Sequence, residues 1–250
     1  THTHTQSHTM NVTRVLLITR QRSGSTFFLA LLAQHPDVQD LGELLNFNDA
    51  NSVAALARNN LTPRDVRYGL TEMQPYLWTQ CTRRVCILKV HPEHFRPPSG
   101  LEELCALGVR AILLERYPED EYRSWQRAVR TGVWAATPRL QRLALQSGDG
   151  LCPPNRCWHD LAAADALPER KFLRQHQKWF RKARWLWPSA TVVRSEEFFE
   201  DPVATVWPVL RQLGLPTAEL SPQKAEEDLS RRMLDKELAQ RALANTPRLA

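Results

Sequence analysis

The turn Arg22-Ser23-Gly24-Ser25-Thr26-Phe27 carries the side chains best suited to binding an anion. It follows an apolar run at 15–18 that predicts a buried strand, and it leads into a helical pattern at 27–33. A strand that turns through small residues into a helix directs backbone N–H groups and the positive end of the helix dipole to one point. Gly24 lets the backbone approach an anion, and Arg22 adds a permanent, fork-shaped charge. We therefore predict a phosphate-binding turn; a helix start capped by serine or threonine is the alternative.

The ligand of this turn is not expected to be that of an ordinary ATPase or GTPase. No Gly-Lys-Ser or Gly-Lys-Thr closes the turn, so the Walker pattern is incomplete. A P-loop kinase with a degenerate loop stays open as a rival. It would need a Mg²⁺-binding aspartate after an apolar strand, and the strand predicted at 109–115 ends in Glu115-Arg116 instead. Another phosphate-bearing ligand is favoured.

Glu43, Lys89 and Arg116 each stand at the end of an apolar run that predicts a buried strand. The three runs are 38–41, 84–91 and 109–115. Arg22 follows the first strand in the same way. Since ligands of parallel sheets bind outside the carboxyl ends of the strands, we expect these four side chains to converge on one site.

Apolar strands that alternate with helices predict an α/β fold with a mostly parallel central sheet and helices on both faces. Further helices are predicted at 51–78, 101–107, 119–131, 169–187 and 201–213, and a last strand at 191–194. In the long helix at 169–187 we expect Phe172, Trp179, Phe180 and Trp187 to anchor the core. The region 132–166 reads as an irregular insertion. We predict a flexible N-terminus over 1–11, one domain over 12–220 and a peripheral C-terminal helix in 221–250.

Three blocks of the chain resemble the sulfotransferases that use 3′-phosphoadenosine-5′-phosphosulfate (PAPS). The first is the turn at 22–27, followed by Gln34-His35-Pro36-Asp37-Val38 and Leu41-Gly42-Glu43. The second is Arg116-Tyr117-Pro118 with Ser124 eight residues after the arginine, where many members carry Asp in place of Tyr117. The third is Arg194-Ser195-Glu196-Glu197-Phe198 with Leu213-Gly214-Leu215-Pro216. The sequence looks most similar to the carbohydrate and bacterial glycolipid branches.

The resemblance implies a single-domain, P-loop-like, three-layer fold and a donor site. Arg22, Ser23, Gly24, Ser25, Thr26 and Phe27 would hold the 5′-phosphosulfate, and Arg116 with Ser124 the 3′-phosphate. Adenosine-3′,5′-bisphosphate would be the product. Taken alone, Arg116 and Ser124 are also consistent with a strand-end arginine that caps a helix and an exposed helical serine.

The resemblance also implies that Glu43 is the general base that deprotonates a hydroxyl acceptor. Burial beside Leu41, Leu44 and Leu45 would raise its pKa toward the working range. A plain helix-start carboxylate is the alternative. Lys89 would stabilise charge on the bridging oxygen, or simply be a strand-end lysine. His91 and His94 are rival bases. No Cys/His cluster has metal-ligand spacing and sulfuryl transfer needs no metal, so none is expected.

Composition sets limits on partners and compartment. The 250 residues carry a net charge of +6, which favours anionic partners such as nucleotides or acidic glycans. The positive residues are spread along the chain, so we expect no nucleic-acid partner. A non-catalytic basic module that binds acidic glycans is a rival from another class. We expect a glycan or small-molecule acceptor, no membrane span, no signal peptide and a cytoplasmic location, or the Golgi lumen if the chain is part of a longer protein. The oligomeric state stays open.

Overall fold

The computed structural model describes residues 12–45, 77–94, 100–131 and 168–232, and at its centre lies one five-stranded parallel sheet. The strands are β1 (Thr13–Ile18), β2 (Val38–Asp40), β3 (Val85–Val90), β4 (Arg110–Glu115) and β5 (Thr191–Arg194). Their order is β2-β3-β1-β4-β5, and every pairing is parallel. β1 therefore lies in the middle, with Ile18 opposite Val90 of β3 and Leu113 of β4.

The helices cover both faces of the sheet. They are α1 (Ser25–Leu32), α2 (Gly100–Ala106), α3 (Pro118–Thr131), α4 (Glu169–Leu186), α5 (Ser195–Glu200) and α6 (Pro202–Gln212), with a 3₁₀ turn at Pro92–His94 and a further helix at 222–232. The predicted α/β, three-layer fold with a parallel central sheet is confirmed. Among the described residues, no helix combines the length and the apolar character needed to cross a bilayer.

Alternate residues of the central strands face two different helical layers. Val15 and Leu17 pack against α1, α6 and the helix at 222–232, whereas Leu16 and Ile18 pack against α2 and α4. β3 is buried along its whole length. Burial on both faces explains why these strands read as unbroken apolar runs and not as alternating polar and apolar residues.

Most predicted elements lie within one residue of their observed bounds. Within the described ranges, one α-helix was missed, because α5 begins directly after β5 and no turn residue separates the two. Phe172, Phe180 and Trp187 are buried as predicted, but Trp179 is only half-buried. The helix at 222–232 contributes Ala225 and Leu229 to the core, and the domain boundary at 220 stays a prediction. The insertion at 132–166 and nearly all of the helix predicted at 51–78 lie outside the described residues.

Candidate active site

The carboxyl ends of β1, β3 and β4 bring the predicted turn, the Lys89 region and Arg116 to one edge of the sheet. The turn connects β1 to α1, as the sequence predicts. Within it, Arg22 has φ of 72° and Gly24 φ of 84°. The left-handed region costs little for glycine but is uncommon for arginine, so the surrounding structure must hold Arg22 there.

Gly24, and no hydroxyl side chain, begins helix α1. It is the N-cap residue, and no side chain caps the helix, so the alternative of a serine or threonine cap is wrong. A Cβ at Gly24 would lie 2.4 Å from Cζ of Phe199, so a larger residue there would force the half-exposed Phe199 ring to move. The first N–H groups of α1 lack acceptors within the helix and are suited to an anion.

Three carbonyl groups of the turn accept hydrogen bonds from side chains that are distant in sequence. Trp179 Nε1 donates to the oxygen of Thr19 at 3.1 Å, Arg116 Nη1 to that of Arg22 at 2.9 Å, and Ser195 Oγ to that of Ser23 at 2.7 Å. In a trans peptide the C=O and the following N–H point in opposite directions. The N–H groups that follow these carbonyls are therefore turned away from the three donors.

Arg22, Arg116 and Ser124 meet beside the turn. Arg22 Nε donates to Ser124 Oγ at 3.2 Å, and Arg116 reaches the Arg22 carbonyl as above. Burial lowers the pKa of Arg22, and the positive charges of Arg116 and Arg127 lower it further. Three guanidinium groups that repel one another would be stabilised by a multivalent anion between them.

Glu43 lies in a cluster with Lys89 and two histidines. Its Oε1 is 2.5 Å from Lys89 Nζ and 3.2 Å from His91 Nε2, and its Oε2 is 3.8 Å from His94 Nε2. Lys89 Nζ also donates to Thr26 Oγ1 at 3.0 Å. Lys89 therefore connects the carboxylate to the turn.

The pKa of Glu43 is not raised, contrary to the expectation from its apolar neighbours. Burial alone would raise the pKa, but the positive charge of Lys89 and the hydrogen bond with His91 outweigh burial and hold it far below its usual range. The carboxylate is therefore ionised at neutral pH. While Lys89 is paired with it, it is a weak base.

The two histidines differ in their hydrogen bonds. Burial and the neighbouring His91 lower the pKa of His94 to about 3, so its ring is neutral. His94 Nδ1 accepts from the backbone N–H of His91 at 3.2 Å, which leaves the ring proton on Nε2, facing Glu43. His91 shares its Nε2 with Glu43, and among the described residues its buried Nδ1 has no hydrogen-bond partner.

The Glu43, His91 and His94 group also has the composition of a metal site. One ligand atom from each lies within 4.8 Å of the others. A metal ligand must offer a free lone pair, but His94 Nε2 carries the ring proton, and the Lys89 ammonium already occupies Glu43 Oε1. The group suits proton handling better than cation binding.

Sequence reasoning missed four residues that shape this edge: Arg20, Trp179, Ser195 and Phe199. Ser195 follows a strand at the carboxyl edge, so the strand-end argument that found Arg116 would have found it. Phe199 is 45% exposed, and the Arg116 guanidinium lies 6.0 Å from the centre of its ring. Nothing in the local pattern distinguishes Phe199 from a core residue, nor Arg20 from Arg22.

Comparisons with known proteins find similarity at the level of structure alone. No protein-family model and no curated protein sequence matches the chain. The crystal structure of a sulfotransferase from Alicyclobacillus acidocaldarius is 14% identical over 91% of this chain and 93% of that one, with a TM-score of 0.50. The sulfotransferase domain of the Synechococcus PCC 7002 olefin synthase is 17% identical over 84% and 76%, with a TM-score of 0.41, which is too low to add to the description of the fold. The first similarity shows a shared α/β, P-loop-like fold.

Proposed function

We propose that this protein is a sulfotransferase that moves a sulfuryl group from PAPS to a hydroxyl of a glycan or small molecule. One observation carries the proposal: an anion-binding turn with Arg22, Arg116 and Ser124 lies next to a Lys89–Glu43–His91 cluster at the same sheet edge. The first group suits a donor with two separate anionic ends. The second provides a cation and proton acceptors.

The two anionic groups of the donor would bind at two different positions of the site. Its 5′-phosphosulfate would accept from the N–H groups at 22–27, where the dipole of α1 is positive. Its 3′-phosphate would lie against Arg116 and Ser124, and would relieve the repulsion among the guanidinium groups.

In the transfer step, the acceptor oxygen forms a bond to sulfur while the bond from sulfur to the bridging oxygen breaks. The electron pair of the broken bond stays on the bisphosphate, and the acceptor proton passes to a base. Lys89 Nζ, next to Thr26 of the turn, would move toward the bridging oxygen and stabilise its developing charge. Positioning and electrostatics supply most of the catalysis.

Two arrangements of the base fit the geometry. If Lys89 turns toward the donor, Glu43 loses the cation that lowers its pKa and becomes the stronger base expected from the sequence. Alternatively His91 is the base, which requires the acceptor to reach its buried Nδ1; Glu43 would then stabilise the resulting imidazolium through Nε2. We favour Glu43 as the base, with His91 as the rival to be separated by mutation.

The kinase alternative is disfavoured by the residue at the end of β4. Glu115 stands where a Mg²⁺-binding carboxylate would be needed, but its Oε2 is bound by Arg184 and lies 3.0 Å from Arg194 Nη1. A carboxylate neutralised by two arginines is poorly suited to hold a nucleotide's metal ion.

Ligand-dependent unfolding tests the proposal. At a concentration one hundred times its Kd, adenosine-3′,5′-bisphosphate should add about 2.7 kcal/mol to the free energy of unfolding. ATP, which lacks the 3′-phosphate, should stabilise much less, with or without Mg²⁺. Equal stabilisation by ATP, or a strict requirement for the metal, would refute the donor assignment and favour the kinase.

A further inference from the structure

We infer that the buried ion pair between Arg20 and Glu121 is a positioning device, which sets the anion-binding turn against helix α3. Arg20 Nε lies 3.0 Å from Glu121 Oε1, and the two side chains are 6% and 0% exposed. The Arg20 guanidinium stacks 4.3 Å from the centre of the Phe172 ring on α4. Because both side chains are buried, we assign the pair a positioning role and no direct contact with a donor.

A second contact between the turn and α3, from Arg22 to Ser124, lies next to this ion pair. Arg20 and Arg22 are two residues apart on the turn, and their partners Glu121 and Ser124 are three apart on one face of α3. The turn is therefore attached to the helix at two points, one buried and one facing the site. The Arg20–Glu121 pair therefore sets the position of the backbone from which Arg22 reaches Ser124.

The same attachment bears on Arg116, which lies two residues before α3. Its guanidinium donates to the carbonyl of Arg22, so a shift of the turn relative to α3 would separate the two arginines proposed to bind the donor. Arg22 is also held in the left-handed region, which the turn would not adopt without support.

Stability alone is a poor explanation for this pair. Removing two charges from water costs free energy, and apolar residues of similar size often replace a buried ion pair without loss of stability. His176 Nε2 lies 3.6 Å from Glu121 Oε2, but burial and the charge of Arg20 lower the pKa of His176 to about 4. Its ring is neutral at pH 7, so Arg20 carries the compensating charge for Glu121.

A charge-balanced double substitution separates positioning from stability. Arg20→Met with Glu121→Met removes one positive and one negative charge and leaves no polar group in the buried position, so the net charge that attracts an anion is unchanged. The matched control is Lys182→Met with Glu102→Met, which removes an ion pair of 2.6 Å between α4 and α2 on the partly exposed surface. Four quantities are measured: the thermal midpoint, the affinity for adenosine-3′,5′-bisphosphate by calorimetry, amide hydrogen exchange at 19–24 without ligand, and the KM values for donor and acceptor in turnover.

We expect the Arg20/Glu121 variant to keep a near-wild-type midpoint, to bind the bisphosphate at least about tenfold more weakly and to exchange faster at 19–24. In turnover, KM for the donor should rise while KM for the acceptor stays unchanged. The control should match wild type in each. Wild-type affinity and exchange in the Arg20/Glu121 variant would overturn the inference.

The ligand in this test rests on the proposed function, but the exchange measurement does not. If wild-type protein fails to bind the bisphosphate, the proposed function is wrong, and exchange at 19–24 still decides the positioning role. If the double variant does not fold, Arg20→Lys replaces it, because lysine keeps the charge and loses the planar fork. Wild-type exchange at 19–24 in Arg20→Lys would then overturn the inference, and faster exchange with unchanged helix content would support it.

Discussion

At the scale of single residues, Glu43 is the group whose surroundings most restrict what it can do. Lys89 and His91 both bind Oε1, and His94 faces Oε2. The carboxylate is thus held in one orientation and kept ionised. As the proposed base, Glu43 would be oriented in advance, and its strength would depend on whether Lys89 stays paired with it.

Glu43→Gln tests the proposed base. Glutamine keeps the shape of the side chain but cannot accept the acceptor's proton, so turnover should fall by about 10²–10⁴-fold while bisphosphate affinity stays unchanged. The measurement is steady-state turnover together with calorimetry. A non-catalytic glycan-binding module would show no turnover to lose. Turnover within a few fold of wild type would assign the proton to another group, with His91 tested first and His94 second.

The pH dependence of turnover in the wild-type protein also tests the proposed role of Glu43. Because Lys89 and His91 keep the pKa of Glu43 far below its usual range, protonation of Glu43 in the Lys89-paired state would limit the rate only in strongly acidic solution. A limb of the profile near neutral pH that survives in Glu43→Gln would therefore belong to a different base.

Arg116→Ala tests the proposed 3′-phosphate contact. Loss of a charge-assisted hydrogen bond typically costs about 1.5–3 kcal/mol, which corresponds to roughly ten- to a hundredfold weaker bisphosphate binding. Arg22→Ala should behave in the same way. Arg123→Ala on the same helix is the control, since that side chain is 74% exposed and pairs with Asp120. Unchanged affinity in Arg116→Ala would show that the clamp lies elsewhere.

Residue identity at strand ends predicted much of this site. Arg22, Glu43, Lys89 and Arg116 lie together at the carboxyl edge, as parallel pairing requires. The sequence could not predict the direction of Arg20, because Arg20 and Arg22 share one turn and differ only in which way the backbone turns them. Nor could it predict the pKa of Glu43, which depends on partners from another strand.

At the scale of elements, the conformation of the turn between β1 and α1 depends on helix α5. No sequence pattern predicted this helix. Ser195, the first residue of α5, is buried and donates to the carbonyl of Ser23. The turn is therefore not a self-contained motif. Its shape is set by elements that follow it by most of the chain length.

Ser195→Ala should destabilise the protein, because it leaves a buried carbonyl without its donor. A loss of about 1–3 kcal/mol in the free energy of unfolding is typical for such a change. Ser230→Ala is the matched control, since the Ser230 hydroxyl donates to Glu226 within one helix and is half-buried. Urea unfolding compares the two. An equal, small effect in both variants would show that the Ser195 hydrogen bond contributes little to holding the turn.

Element type was easier to predict than element ends. The helix expected at 201–213 is observed at Pro202–Gln212, because Asp201 lies outside it and accepts from the N–H of Ala204 as its cap. The strands followed from continuous burial, which leaves a clear apolar signal. Helix α5 has only six residues and follows a strand directly, with no Gly or Pro between them, so the sequence pattern did not predict it.

At the scale of the whole molecule, buried histidines should make the fold sensitive to acid. Burial lowers the pKa of His94 to about 3 and that of His176 to about 4. In the unfolded chain both titrate near 6.5. Between pH 6.5 and about 4 the unfolded state binds protons that the native state does not, so the free energy of unfolding falls as the pH falls.

The slope of that fall is measurable by urea unfolding at pH 7, 6 and 5. Near pH 5 the two histidines together contribute at most about 2.7 kcal/mol per pH unit. Glu115 opposes them in part, because burial raises its pKa and its native form takes up protons first. His94→Gln should lower the slope by up to about 1.4 kcal/mol per pH unit. A slope that is flat in wild type, or unchanged in His94→Gln, would contradict this account.

The long-range hydrogen bonds to the turn affect when the turn can form during synthesis of the chain. The donors to its three carbonyls lie 94, 160 and 172 residues further along the chain. Contacts of such long range form late in folding, and during synthesis the last donor leaves the ribosome only after most of the chain has been made. A nascent chain can therefore pair β1 with β3 and β4 and still have no finished turn. Synthesis of the segment that contains Ser195, and not formation of the local motif, would decide when the turn is complete and the proposed donor could first bind.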